Sequence, residues 1–202
     1  MKTSGRRIGM GAVMLIFGLI PANLFAGTVW STGFEGGLPT EAAASGNWRV
    51  VTSAPAAHSG TKGLDISGAT TLVGDVLVFD LSSVGFADLT LNFWAKVRDG
   101  LESGDGDSVQ LEWSPNGGAS WEPLTVFSGL AADDWFPNQF SLPLGAADNP
   151  NLNFRLVATL GTSGDRMTFD DFALSGTLVP EPMTIGLLTL GALIVSRRRR
   201  FS

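Results

Sequence analysis

The stretch LTLNFWAKV, residues 89–97, decides the fold class of this chain. Its apolar side chains alternate with Thr90, Asn92, Trp94 and Lys96. This period of two is the signature of a β-strand with one buried face. The stretch SVQLEWS repeats the alternation further along the chain. Both stretches therefore predict extended strands that cover a hydrophobic core.

Extended runs recur along the middle of the chain, and the intervals between them hold Gly, Pro, Asn and Asp, which favour turns. The predicted strands are residues 28–34, 47–52, 63–67, 72–81, 88–98, 108–114, 121–127, 135–142, 152–160 and 166–174. No window gives a convincing amphipathic helix. A set of about ten evenly spaced strands predicts an all-β antiparallel sandwich or barrel, and we expect a two-sheet jelly roll.

Residues 27–178 have the length of one ordinary domain and carry a strong negative charge. They contain six basic and eighteen acidic residues, which gives a formal net charge of −12. Such a surface repels nucleic acid and anionic lipid, and it suits divalent cations or simple solubility outside the cell. The chain has no cysteine, so its stability must come from a core, or from a core and a metal ion.

Residues 1–26 have the pattern of a secretory signal peptide. A basic start with Lys2, Arg6 and Arg7 is followed by the apolar residues 8–20, and the segment closes at Ala26. An uncleaved N-terminal anchor is the alternative. We expect the following domain to be exported.

The segment VPEPMTIGLLTLGALIVSRRRRFS, residues 179–202, predicts a C-terminal membrane helix. Its apolar run, residues 183–195, is closed by a basic block that consists of Arg197, Arg198, Arg199 and Arg200. An apolar run of this kind enters a membrane and stops, with its arginines left in the cytoplasm. The run is shorter than the roughly 20 residues of an ordinary span, so a core or amphipathic helix is the alternative.

The three parts of this tail resemble the PEP-CTERM sorting signal of Gram-negative bacteria. The resemblance implies that Pro180, Glu181 and Pro182 are recognised by a membrane enzyme called exosortase. That enzyme would remove the tail from a protein held briefly at the inner membrane and pass it on to the cell surface or the medium. The prolines keep the linker extended and accessible.

A second resemblance covers most of the domain. GFEGGLP at residues 33–39, HSGTKGL at 58–64, LTLNFWAKV and TFDDFALSG at 168–176 look like landmarks of MAM-like and concanavalin-like jelly rolls. MAM domains also carry cysteines, which are absent here, so the resemblance implies the fold and not an adhesive role.

Three carboxylates are candidate ligands for a structural Ca²⁺ ion. Glu35 follows the first predicted strand, and Asp170 and Asp171 lie on the last one. The terminal strands of a jelly roll usually lie close together, and Ca²⁺ prefers oxygen ligands. The resembling folds also imply a cation in this region. The alternative is that these carboxylates cap turns or pair with Arg155 or Arg166. The acidic loop DGLESGDGD, residues 99–107, lacks the spacing of an EF-hand and is interpreted as solvated.

The stretch SPNGGASW, residues 114–121, resembles an Asp-box hairpin in which Asn116 and Ser120 replace Asp and Thr. Asn116, Gly117 and Gly118 suit a tight turn with Trp121 packed beneath it. We interpret this motif as a folding device.

The six tryptophans raise the hypothesis of carbohydrate binding, because indole rings stack on sugars. Trp113 and Trp121 are expected in the core. Trp94 lies on the polar phase of its strand and Trp135 follows two aspartates, so these two are the candidate ligand-binding residues. His58 is the single histidine and is expected to have a structural role in a turn.

The sequence favours a non-enzymatic, surface-sorted β-sandwich protein of the extracellular polysaccharide or biofilm matrix; the sorting resemblance supplies this setting. Its predicted partners are exosortase, the inner membrane and polysaccharide, with no nucleic acid. The first alternative is a carbohydrate-binding module. The second is a glycan hydrolase, which would need two carboxylates across a cleft. Neither a nucleophile elbow nor a jelly-roll glucanase string (E-x-D-x-x-E) is present.

Overall fold

In a computed structural model of the chain, the described residues are 26–68, 74–161 and 164–179. They form eleven β-strands and three short 3₁₀ turns, and this part of the chain contains no α-helix. The strands are β1 (Ala26–Thr32), β2 (Ala42–Ala44), β3 (Arg49–Val51), β4 (Gly63–Ser67), β5 (Asp75–Leu81), β6 (Phe86–Val97), β7 (Ser108–Ser114), β8 (Glu122–Phe127), β9 (Phe136–Ser141), β10 (Leu152–Thr159) and β11 (Arg166–Leu178). The 3₁₀ turns are Ala54–Ala56, Ser103–Asp105 and Leu144–Ala146.

The strands form two antiparallel sheets. Sheet A has six strands in the order β3-β4-β11-β6-β9, with β1 also paired to β11. Sheet B has five strands in the order β2-β5-β10-β7-β8. Every strand pairing between the described residues is antiparallel. The prediction of an all-β, two-sheet antiparallel sandwich is therefore confirmed.

The long strand β11 organises sheet A. On one side it pairs with β6 along most of its length. On its other side, its first residues pair with β4 and its later residues pair with β1. The first and last strands are thus direct neighbours, as expected for a jelly roll. The gap between the end of β1 and the start of β4 opens beside the middle of β11, where Asp170 and Asp171 lie.

One hydrophobic core fills the space between the sheets. Phe93 of β6 stacks on Phe172 of β11, with ring centroids 4.7 Å apart, and Phe172 lies 5.6 Å from Phe79 of sheet B. Phe127 of sheet B reaches Phe169 of sheet A at 6.1 Å. These contacts join the two inner faces, and burial of such aromatic side chains is a main source of the folding free energy.

The strand boundaries differ from the predicted ones mainly where side chains carry little signal. Strand β2 was not predicted, because its three alanines have no alternation and no β-branched or aromatic residue. Strand β11 continues to Leu178, four residues past its predicted end. Ser108–Ser114 and Gly63–Ser67 match their predicted bounds.

The predicted sorting segments fall almost wholly outside the described residues. Of the signal peptide only Ala26 is described, and β1 begins with it. Pro180, Glu181 and Pro182, the apolar run 183–195 and the arginine block lie outside as well. Within residues 26–68, 74–161 and 164–179, no helix has the length and apolar character that a membrane crossing requires.

Candidate functional site

Trp94 points away from the core, on the outer face of sheet A. Its neighbours Phe93 and Ala95 are buried, so alternation along β6 turns Trp94 outward. On one side it is paired with Asp170 of β11, and on the other side with Pro137 of β9. Trp94 therefore lies on the strand next to the edge strand β9, where it is partly exposed, as the sequence predicted.

A β-bulge in β11 presents two acidic residues next to Trp94. The register between β11 and β6 shifts between Asp170 and Ala173, and Asp171 has the left-handed φ of 52°. Strict alternation would put only one of these aspartates on each face. The bulge overturns that expectation, because Phe169 and Phe172 both enter the core while Asp170 and Asp171 contact the loop that precedes β4.

Asp170 holds this loop in place through its buried carboxylate. Its Oδ2 accepts hydrogen bonds from the backbone N–H groups of His58 and Ser59, at 2.8 and 3.1 Å. Its Oδ1 accepts one from the N–H of Asp171 at 2.8 Å. Burial raises the pKa of Asp170, while these three N–H donors lower it and leave a net upward shift.

Asp171 binds the side chains of His58 and Ser59 in this loop, and Glu35 binds the backbone at the end of the loop nearest β4. Asp171 contacts the Nδ1 of His58 at 2.7 Å and accepts a hydrogen bond from the Ser59 hydroxyl at 2.5 Å. Glu35 accepts the backbone N–H groups of Thr61 and Lys62, both at 2.8 Å. The Lys62 N–H, followed by that of Thr61, lowers the pKa of Glu35.

His58, Trp94 and Trp135 form a partly exposed aromatic cluster. The imidazole stacks on the Trp94 ring, with centroids 4.0 Å apart and an interplanar angle of 12°. Trp135 meets the imidazole edge-on at 5.5 Å and 69°. The side chain of His58 is 28% exposed and that of the neighbouring Asp171 is 30% exposed. The cluster is therefore an apolar surface flanked by polar groups that water can reach.

Asp134 and Lys96 position Trp135 at the edge of the cluster. Asp134 accepts the backbone N–H of Trp135 at 2.8 Å and an N–H of the Lys96 ammonium at 3.4 Å. The Trp135 N–H, and then Lys96, lowers the pKa of Asp134. A carboxylate, an ammonium group and three aromatic rings therefore adjoin on one face.

The predicted Ca²⁺ ligands Glu35, Asp170 and Asp171 lie around the same loop, where their carboxylates bind protein donors. The calcium site stays a prediction. A different trio, Glu102, Asp107 and Asp165, places carboxylate oxygens within 4.8 Å of one another. This trio was missed because Asp165 is distant in sequence from the other two.

The prediction that the loop 99–107 is solvated is wrong for Asp107. This residue is only 1% exposed. Its Oδ1 accepts the N–H of Gly161 at 2.6 Å, and its carbonyl accepts the hydroxyl of Ser128 at 2.8 Å. Asp107 is buried because these long-range hydrogen bonds tie the end of the loop to two other segments.

The remaining four tryptophans pack in the core, against it or under the hairpin, and Trp30 is partly buried against the core. Trp113 and Trp48 are buried in the core. Trp121 was expected in the core, but it is partly exposed, because it lies under Gly118 of the hairpin and the Arg155 guanidinium covers its ring at 4.3 Å. The hairpin itself forms as expected. Asn116 Oδ1 accepts hydrogen bonds from the hydroxyl of Ser114 and the N–H of Ser120.

The sandwich fold is shared with solved structures, whereas no protein-family model and no curated protein matches the chain. The K3 cleaved adhesin domain of Lys-gingipain from Porphyromonas gingivalis superimposes with a TM-score of 0.56 and 17% identity, over 75% of this chain and 99% of that one. The K2 cleaved adhesin domain of Lys-gingipain gives a TM-score of 0.54 and 15% identity, over 74% and 99%. The C-terminal family 22 carbohydrate binding module of Clostridium thermocellum Xyn10B gives 0.50 and 16%, over 77% and 97%. At these identities the likeness shows the fold alone.

Proposed function

We propose that this domain is a non-enzymatic carbohydrate-binding module whose ligand is a polysaccharide seated on the aromatic cluster. The observation that carries the proposal is the outward-facing trio of His58, Trp94 and Trp135 on sheet A. The sequence favoured a matrix protein of unspecified role and left a carbohydrate-binding module as the first alternative; the aromatic cluster favours this alternative.

The chemistry of the cluster suits a sugar ring. The C–H face of a pyranose is apolar and packs on an aromatic ring, whereas its hydroxyl groups need hydrogen-bonding partners at the rim. His58 covers part of Trp94, so a sugar would contact the ring surface that the three side chains leave exposed. Asp171, Asp134 and Lys96 lie where they could bind the hydroxyl groups.

The shared fold supports this function without carrying it. The family 22 module, whose cleft residues have a role in ligand binding, and the two adhesin domains share the sandwich fold. Because their sequence identities are low, the ligand of this chain has to be inferred from its own side chains.

The arrangement around His58 favours binding over hydrolysis. The Ser59 hydroxyl donates to Asp171, and the Nδ1 of His58 is likewise directed to Asp171, so the histidine is not placed as a general base for this serine. Asp170 is buried and accepts three backbone N–H groups. A glycosidase needs two carboxyl groups across the sugar, one of them able to act as an acid. Of the accessible carboxylates here, Asp171 is held by His58 and the Ser59 hydroxyl, and the Trp135 N–H and Lys96 lower the pKa of Asp134, which disfavours an acid role.

The sorting signals give this module its destination. We propose that residues 1–26 direct export, and that exosortase reads Pro180, Glu181 and Pro182 before it removes the tail. The module would then hold polysaccharide at the cell surface or in the matrix. Glu181→Ala should leave the tail attached in cells that contain exosortase, and Ser202→Ala should not. Normal removal of the tail from Glu181→Ala would show that exosortase does not need Glu181 for recognition.

Affinity electrophoresis tests the binding function. The full chain, kept in a non-ionic detergent without a sugar head group, is run through gels that contain dextran, xylan or alginate. We expect at least one polysaccharide to retard the protein. Trp94→Ala and Trp135→Ala should abolish the retardation.

Trp121→Ala is the matched control, because Trp121 is a partly exposed tryptophan that contacts sheet B. Thermal unfolding establishes that each variant is folded. Equal retardation of Trp94→Ala and wild type would locate binding elsewhere, and an unretarded wild type would argue against the function for these polysaccharides.

A further inference from the structure

The outer face of sheet A collects most of the positive charge of the domain. Of the six basic residues within residues 27–178, four lie on this face: Arg49, Lys96, Arg98 and Arg166. The domain as a whole has eighteen acidic residues. The same face also carries the carboxylates of Asp65, Asp170 and Asp171, so the excess of positive charge is confined to the part where Arg49, Arg98 and Arg166 meet.

Three of these residues form an arginine cluster around one buried carboxylate. Asp65 of β4 is 0% exposed and faces away from the core, between the buried Leu64 and Ile66. Its Oδ2 accepts hydrogen bonds from Arg49 at 2.9 Å and from Arg166 at 2.8 Å. Its Oδ1 lies 3.7 Å from a guanidinium nitrogen of Arg98. Asp65 thus fixes three guanidinium groups on one patch.

Asp65 neutralises this arginine cluster only in part. Three guanidinium groups and one carboxylate leave a formal charge of +2, since arginine stays protonated in proteins. The Nε of Arg166 is buried and has no hydrogen-bond partner among the described residues. Arg49 is 48% exposed. Because the Arg166 Nε is buried, the exposed guanidinium group of Arg49 is where a further anion would find both charge and N–H donors.

The arginine cluster continues from the aromatic cluster along the same strand. Trp94 and Lys96 share the outer face of β6, and Arg98 follows Lys96 two residues further along the chain. At about 3.3 Å per residue, Trp94 and Arg98 lie roughly 13 Å apart along the strand. Lys96 lies between them and is paired with Thr168, whose other neighbour is Asp65. An extended polysaccharide could contact both clusters at once.

We propose that the ligand is an acidic polysaccharide, with an anionic group of one sugar bound by the arginine cluster and a neighbouring sugar on the aromatic cluster. This inference rests on the proposed carbohydrate-binding function. A guanidinium group presents two parallel N–H donors that match the paired oxygens of a carboxylate or a sulfate. The anionic group is therefore the carboxylate of a uronic acid or the sulfate of a sulfated sugar.

The test compares acidic and neutral polysaccharides on the full chain. Affinity electrophoresis uses alginate for carboxylates, dextran sulfate for sulfates and dextran as the neutral partner. Arg98→Gln is the main variant, because Arg98 makes the longest contact with Asp65 and its loss leaves the two hydrogen bonds of Asp65 intact. Arg155→Gln is the matched control, because it removes the same charge from sheet B.

We expect Arg98→Gln to weaken binding of an acidic polysaccharide about tenfold, the effect of losing one charged hydrogen bond. Arg155→Gln should leave this binding unchanged. Added salt should weaken the binding of the acidic polymer and leave that of dextran unaffected. Retardation by alginate or by dextran sulfate identifies which anionic group is bound.

Two outcomes would overturn the inference in different ways. If dextran retards the protein as strongly as the acidic polymers and Arg98→Gln changes nothing, the arginines only hold Asp65, and neutral carbohydrate binding survives. If no polymer retards wild type, the carbohydrate-binding function itself fails.

Discussion

Replacement of Asp170 by alanine should destabilise the domain and free the loop that carries His58. The Asp170 carboxylate accepts three backbone N–H groups, two of them from this loop at 2.8 and 3.1 Å. The third comes from Asp171 at 2.8 Å. Alanine removes all three acceptors and leaves the bulge of β11 without its internal hydrogen bond.

The magnitude follows from the number of hydrogen bonds and from their surroundings. A hydrogen bond to a charged group contributes about 1.5–3 kcal/mol to stability, and a buried donor that is left unpaired costs about 1–3 kcal/mol. His58 and Ser59 are exposed, so water can reach their N–H groups in the variant. The burial that raises the pKa of Asp170 also costs free energy, which alanine recovers. About 1 kcal/mol per bond is therefore appropriate, and we expect Asp170→Ala to lose about 3 kcal/mol.

Urea unfolding followed by tryptophan fluorescence measures this loss. Asp80→Ala is a matched control, because Asp80 is an exposed carboxylate of sheet B that accepts one hydrogen bond from Asn153 at 3.3 Å. It should cost less than about 1 kcal/mol. A loss below about 1 kcal/mol for Asp170→Ala would refute the reasoning, because the carboxylate would then contribute no more than an exposed one.

Three further predictions concern other parts of the domain. Gly63→Ala should cost about 3 kcal/mol or more by thermal unfolding, because its Cβ would overlap the backbone carbonyl of Ala56; an unchanged unfolding temperature would contradict this close approach. The Lys62 N–H lowers the pKa of Glu35 from its ordinary value of 4.5, so the stability that Glu35 contributes is present above that value and is lost as the pH falls through the lowered pKa. Glu35→Gln should therefore lose less stability than wild type on acidification, and equal losses would count against the loop hydrogen bonds. Asn116→Ala removes the side chain that holds the hairpin turn and should cost about 1–2 kcal/mol in urea; no loss would show that the glycines suffice.

The fold class was predictable because alternation is a local signal. Strand β6 reports its buried face through every second residue, and this pattern also placed Trp94 on the outer face. The alanines of β2 carry no such signal, and pairing with β5 alone makes them a strand. Local patterns therefore predicted the strands with alternating side chains, whereas β2 forms only through its pairing with β5, which no local pattern shows.

The site was predictable only in parts. Trp94 was a candidate because it lies on the polar phase of its strand, and Trp135 was a candidate because it follows two aspartates. The position of His58 was not predictable, because its ring reaches Trp94 through hydrogen bonds to Asp170 and Asp171 more than a hundred residues away. The bulge that makes those bonds possible adds one residue to β11. A prediction from strict alternation assumes that no residue is added, so it cannot locate the bulge.

The most direct test of the central claim uses the single histidine as a reporter of the aromatic cluster. The ring protons of His58 give one set of NMR signals, and the stack on Trp94 should shift them upfield in the free protein. Addition of oligosaccharides from the polysaccharide that retards wild type should shift or broaden these signals, and Trp94→Ala should abolish both effects. If the oligosaccharide binds while the His58 signals stay unchanged, the ligand lies elsewhere and the aromatic cluster is not the binding site.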